Sequence, residues 1–144
     1  PARSPGLRHR HYAPRAPLFL YKGPVEEQIS TIGREMVSLA RNSSRVGILA
    51  ATGEIEKIRK SARLAGLSAA DAPSLDSDIV YAATGRREKM SEVASSLFSC
   101  LRQLDMSEVD IILATSYVEE GPGFAVMNRL IRACDGRVFT VEER

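Results

Sequence analysis

The sequence predicts an α/β fold of Rossmann-like type, a three-layer α/β/α sandwich with a mostly parallel sheet of about five strands, preceded by an extended linker. Three observations predict it. Five short runs are nearly continuous in Val, Ile, Leu, Phe and Ala, as strands covered on both faces must be. Amphipathic helical patterns alternate with those runs, and a repeated β-α-β order calls for right-handed crossovers that lay helices over a parallel sheet. The chain has 144 residues, 44% hydrophobic and 26% charged, which suits one soluble domain. A domain of this size buries roughly 70% of its unfolded surface and needs neither disulfides nor a structural metal.

Residues 1–17 read as the extended linker and 18–144 as the Rossmann-like body. Pro1, Pro5, Pro14 and Pro17 forbid the amphipathic helix of an arginine-rich transit peptide, since each lacks an N–H and biases its predecessor toward extended geometry. The first strand is expected at Leu18–Tyr21. Val25, Ile29, Ile32, Met36 and Leu39 then share one helical face, with Pro24 at its start and Glu26 and Glu27 favouring the positive end. Val46–Ala51 is the second strand. Ile55, Ile58, Ala62 and Ala65 form a second stripe that stops at Gly66, with Lys57, Arg59, Lys60 and Arg63 opposite as a solvated face. Ser68–Ser77 is the longest loop, and Ile79–Ala83 the third strand. Met90, Val93 or Ala94, Leu97, Leu101 and Leu104 mark a third helix. Val109–Ala114, a helix through Met127, Leu130, Ile131 and Cys134 that ends at Gly136, and Val138–Val141 complete the order.

Composition excludes several functions. No apolar run approaches the ~20 residues that span a bilayer. Cys100 and Cys134 lie far apart with no metal-ligand or C-x-x-C spacing, which fits two buried thiols in a reducing, cytoplasmic setting. Net charge is +2, but the first fifteen residues hold four arginines and no acid, leaving the other 129 at −2. A near-neutral body gives no footprint for direct nucleic-acid binding. Both histidines, His9 and His11, belong to the linker, so the body cannot build a histidine-dependent triad of its own, and no metal site is expected.

In open α/β sheets ligands bind beyond the carboxyl ends of the strands. The turns there bring Thr52 and Gly53, Thr84 and Gly85, and Gly121 and Gly123, with Asn128 in the helix that follows. Each turn offers helix N-terminal amides to an anion, and Arg86 and Arg87 add charge. The same residue types also build tight turns in any such fold, and neither G-x-G-x-x-G nor G-x-x-x-x-G-K-[ST] is present. No complete catalytic constellation stands in the body.

Ser4-Pro5-Gly6-Leu7-Arg8-His9-Arg10-His11-Tyr12-Ala13-Pro14 resembles the interdomain linker of the two-domain threonylcarbamoyl-AMP synthases, S-P-G-M-K-Y-R-H-Y-A-P. Leu7, Arg8 and His9 depart from it. Gly121 to Leu130, GPGFAVMNRL, resembles that family's G-x-G-x-A-x-M-N-R-L signature. The resemblance implies that this chain is the linker and C-terminal accessory or gating domain of an L-threonylcarbamoyladenylate synthase. Its N-terminal YrdC-like catalytic domain, expected upstream of Pro1, would take L-threonine, bicarbonate and ATP, with Mg as the accompanying ion. It would form threonylcarbamoyl-AMP and pyrophosphate for N6-threonylcarbamoyladenosine modification of tRNA. The fragment alone would be inactive. Ser4, Gly6, Arg10, His11 and Tyr12 would gate the substrate site, with Arg10 facing phosphate or carboxylate and His11 and Tyr12 excluding water from a labile carbamate. The alternative is a free-standing Rossmann-like module that binds a nucleotide or a protein without catalysis. A third reading, an RNA-binding domain, draws only on the basic leader and the basic helix face.

Overall fold

A computed structural model of the chain describes residues 13–66 and 78–142. Nine elements alternate: β1 (Leu18–Lys22), α1 (Val25–Arg41), β2 (Val46–Ala50), α2 (Glu54–Leu64), β3 (Ile79–Ala83), α3 (Met90–Met106), β4 (Ile111–Thr115), α4 (Pro122–Cys134) and β5 (Val138–Thr140). The Ser68–Ser77 loop lies outside the described residues.

The five strands form one sheet in the order β3-β2-β4-β1-β5, and every pairing is parallel. From β1 the chain steps over the place of β4 to β2 and outward to β3. It then returns to insert β4 between β2 and β1, and passes over β1 to the far edge as β5. Right-handed crossovers therefore put α1 and α2 on one face and α3 and α4 on the other.

The apolar spacing of each helix meets the alternation of the strands to make two cores. Ile32 and Met36 of α1 and Ile58 of α2 pack on Val46, Ile48 and Leu113. Leu97 and Leu104 of α3 and Met127 and Leu130 of α4 pack on Leu18, Leu20 and Ile112. The central strands β2 and β4 are buried on both faces, which explains their uninterrupted apolar sequences. β4 begins at Ile111, two residues after its apolar run begins. Glu108 there turns through φ 55°, and the Asp110 carboxylate accepts the Arg45 N–H at 2.7 Å, so Val109 is buried in the turn.

The described end of the linker joins the body at the amino ends of the strands. The Arg15 N–H donates to Asp105 Oδ1 at 2.8 Å, Ala16 is buried, and the Pro17 carbonyl accepts the Ile112 N–H at 2.9 Å. No helix among the described residues is long and apolar enough to cross a membrane.

Candidate functional site

The reversal of strand order places a crevice at the carboxyl ends of β2, β4 and β1. There β2 hands the chain to α2 on one face and β4 hands it to α4 on the other. Side chains from four turns meet in it. Arg87, after β3, reaches across to Glu54 at the start of α2, with Nε to Oε2 at 2.6 Å and Nη2 to Oε1 at 2.9 Å. This two-pronged geometry is the strongest form of the pair, because both guanidinium donors align with both carboxylate oxygens. The third prong, Nη1, donates to the Ser116 carbonyl at 2.8 Å, and the guanidinium lies 4.5 Å from the centre of the Tyr117 ring.

The network continues on both sides. The Tyr117 hydroxyl lies 2.8 Å from Thr84 Oγ1, which in turn reaches the Ala50 carbonyl at 3.3 Å. Gln28 of α1 donates through Nε2 to the Gly23 carbonyl at 2.7 Å and to Ser116 Oγ at 3.2 Å, while its Oε1 accepts the Ser116 N–H at 3.0 Å. Burial pushes the Tyr117 phenol up despite its bond to Thr84, and pushes the Tyr21 phenol, with Glu35 nearby, to about 12. Burial also opposes the charge on Arg87, and the Glu54 hydrogen bonds and charge outweigh it, so the guanidinium titrates above its ordinary range.

The residues expected to hold an anion divide into two groups. Thr84 is 1% exposed and Gly123 is buried, and both serve packing at this end of the sheet. A Cβ at Gly123 would overlap the Val118 carbonyl oxygen, and one at Gly85, where φ is 122°, would lie 2.7 Å from Glu92 Cβ. Thr52, Gly53 and Gly121 instead lie exposed on the rim, with Gly53 and Gly121 capping α2 and α4, and Asn128 is exposed on α4. None of these helices has a side-chain cap at its N-terminus, so the threonines here tie turns together through other bonds. The Thr52 N–H, for example, donates to the Gly85 carbonyl at 2.9 Å.

The added charge is already matched. Arg86 pairs with Glu92 at 2.8 Å and Arg87 with Glu54, so an anion entering the crevice would have to displace a carboxylate. The hydrogen bonds from Arg86 hold the Glu92 carboxyl down at about 2. Among the described residues there is no histidine and no group of three or more His, Cys, Asp or Glu placed to hold a metal. The crevice is filled by its own paired groups, and these do not assemble a nucleophile with a base. The linker residues Ser4, Gly6, Arg10, His11 and Tyr12 lie outside the described residues.

The turns are legible in the sequence, and the partnership between them is not. Arg87 and Glu54 are 33 residues apart, and no spacing rule joins them. Gln28 left a fainter trace, as the one polar residue at core phase in the α1 stripe, three after Val25 and four before Ile32.

Residues 1–134 match the family described as threonylcarbamoyl-AMP synthase, C-terminal domain. A threonylcarbamoyl-AMP synthase of Bacillus subtilis (strain 168) is 37% identical over 136 residues, 94% of this chain and 33% of that protein. One of Pyrococcus abyssi (strain GE5 / Orsay) is 30% identical over 140 residues, 97% of this chain and 34% of that protein. The chain spans about a third of the length of the curated relatives it matches. Among solved structures, P. abyssi Sua5 complexed with L-threonine superposes with a TM-score of 0.65 at 28% identity, over 90% of this chain and 31% of that one. The C-terminal Sua5 domain of a Pyrococcus horikoshii protein gives 0.56 at 27% identity, over 91% of this chain and all of that one.

Proposed function

The chain belongs to the threonylcarbamoyl-AMP synthase C-terminal domain family, and from that premise we propose that it is the accessory, gating part of a longer L-threonylcarbamoyladenylate synthase. The observation that carries this reading is the extent of the family match, which takes in the linker as well as the body. In the parent protein a catalytic domain upstream of Pro1 joins L-threonine, bicarbonate and ATP, with Mg, into threonylcarbamoyl-AMP and pyrophosphate, and the product serves tRNA modification in the cytoplasm. The body anchors the linker through Asp105 and Ile112, and the linker carries Ser4, Gly6, Arg10, His11 and Tyr12 to the catalytic domain. Arg10 supplies a fixed positive charge to phosphate or carboxylate, and His11 and Tyr12 exclude water from the carbamate.

A free-standing ligand-binding module has less support, because Glu54 already holds the cation of the crevice. The strand-end turns, Thr52, Gly53, Gly121 and Asn128 on the exposed side with Thr84, Gly85 and Gly123 beneath, remain a secondary anion site in this proposal. Pyrophosphate release from ATP tests the main reading. The parent protein should show release dependent on both L-threonine and bicarbonate, and this chain alone should show none. A parent without threonine-dependent release would overturn it.

A further inference from the structure

Helix α3 ends against its own electrostatics. The carbonyl end of a helix carries partial negative charge and favours cations, yet the last turn of α3 holds no basic residue and places Asp105 there instead. Aspartate is also a poor helix former. A local rule broken at one position points to a role outside the element. What Asp105 does in the structure is hold the linker, since its Oδ1 accepts the Arg15 N–H at 2.8 Å across 90 positions of sequence.

The neighbouring attachments are of another kind. Ala16 is buried in the α3/α4 core, and the Pro17 carbonyl accepts the Ile112 N–H at 2.9 Å as an extension of the β1–β4 pairing. Both belong to the sheet and its packing, so the chain is committed from Ala16 onward. Arg15 is the first residue ahead of that point, and a side chain rather than the sheet fixes its backbone.

Geometry carries the effect of that bond upstream. The Arg15 N–H lies in the plane of the Pro14–Arg15 peptide, so holding it sets the orientation of the whole unit. Pro14 has its φ locked and biases Ala13 toward extended backbone. The direction set at Asp105 therefore passes along a stiff segment. Tyr12 stands three residues before Arg15 and Arg10 five, which is at most about 11 Å and about 18 Å of extended chain.

We propose that Asp105 is a positioning residue for the parent reaction, acting through the linker backbone to aim Arg10, His11 and Tyr12 at the substrate site. The proposal rests on the reading above that the linker gates that site, and it adds the residue of the body that sets the linker's course. Releasing the bond lowers the fraction of molecules whose linker is already aimed. Apparent substrate affinity falls by that fraction, while saturating substrate recaptures the linker. The signature is a rise in KM with kcat retained. Lost folding stability does the reverse, because it removes active molecules and leaves KM alone.

Steady-state pyrophosphate release and amide hydrogen exchange of the parent protein test it. Asp105→Ala should raise the KM for ATP, L-threonine or both about fivefold, with kcat within about twofold of wild type. Asp105→Asn keeps an oxygen acceptor and should stay within about twofold of the wild-type KM. Asp110→Ala is the control, since it removes the same kind of bond, a carboxylate on the Arg45 N–H at 2.7 Å, from a turn within the body, and should leave KM unchanged. Without substrate, exchange at the Arg15 amide should be about tenfold faster in Asp105→Ala than in wild type. A fall in kcat at constant KM, the same KM rise in Asp110→Ala, or unchanged exchange at Arg15 would overturn the proposal. The two readings fail separately. A parent that releases no pyrophosphate while Arg15 exchange still responds to Asp105→Ala overturns the activity and, with it, any part of Asp105 in the reaction. An active parent in which Asp105→Ala behaves as wild type overturns the role of Asp105 alone.

Discussion

Arg87 joins more of the molecule than any other side chain in the crevice, since it holds Glu54, the Ser116 carbonyl and the Tyr117 ring at once. Its removal strands the Glu54 carboxylate, whose side chain is only 11% exposed. Arg87→Ala should therefore cost about 2–4 kcal/mol in urea unfolding, the range for leaving a largely buried charge unpaired. Arg87→Lys should recover part of that loss, because it restores the charge and not the fork. No change in either variant would mean that the network closes nothing. Glu92 provides a test by pH. Its carboxyl is lowered to about 2, so its bonds to Arg86 contribute fully above the ordinary glutamate range and are lost as pH falls through about 2. Carboxyl NMR titration should place Glu92 near that value, and Arg86→Ala should raise it while leaving it below the ordinary range, because the residue-86 backbone N–H still donates to Oε1 at 3.0 Å.

Single helices and strands were the part most readable in the sequence, because burial on one face leaves a period that a linear scan detects. In α3 the apolar positions Leu97 and Leu104 are fully buried, while Met106, apolar but out of phase, is 82% exposed. Leu104→Ala should destabilise this chain by about 2–5 kcal/mol, through lost transfer energy and the cavity left behind. Met106→Ala should change it by less than about 0.5 kcal/mol. Thermal and urea unfolding of the two variants distinguishes a phase assignment from mere hydrophobicity. Strand order was not readable in the same way. That β4 inserts between β2 and β1 depends on which edges pair after long crossovers, and the local pattern of β4 is the same in any central position. The crevice shares this opacity. Thr84 and Gly85 were visible as a turn, but the ion pair that fills the space beside them exists only once β2 and β3 lie side by side.

At the scale of the whole molecule, the two ends of the sheet have different roles. The carboxyl ends, where folds of this class take ligands, are tied together by the chain's own side chains. The amino ends receive the linker, through Asp105 and the start of β4. That arrangement fits the proposal that the body holds the linker in place while another domain supplies the reactive chemistry. The most direct test replaces Arg10, His11 and Tyr12 by alanine in the parent protein and measures threonine-dependent pyrophosphate release beside thermal stability. The account predicts at least about a tenfold fall in kcat/KM, the loss of roughly 1.4 kcal/mol of transition-state stabilisation or more, with an unchanged unfolding temperature. Wild-type release from the triple variant would contradict it, for the linker would then have no part in the active site.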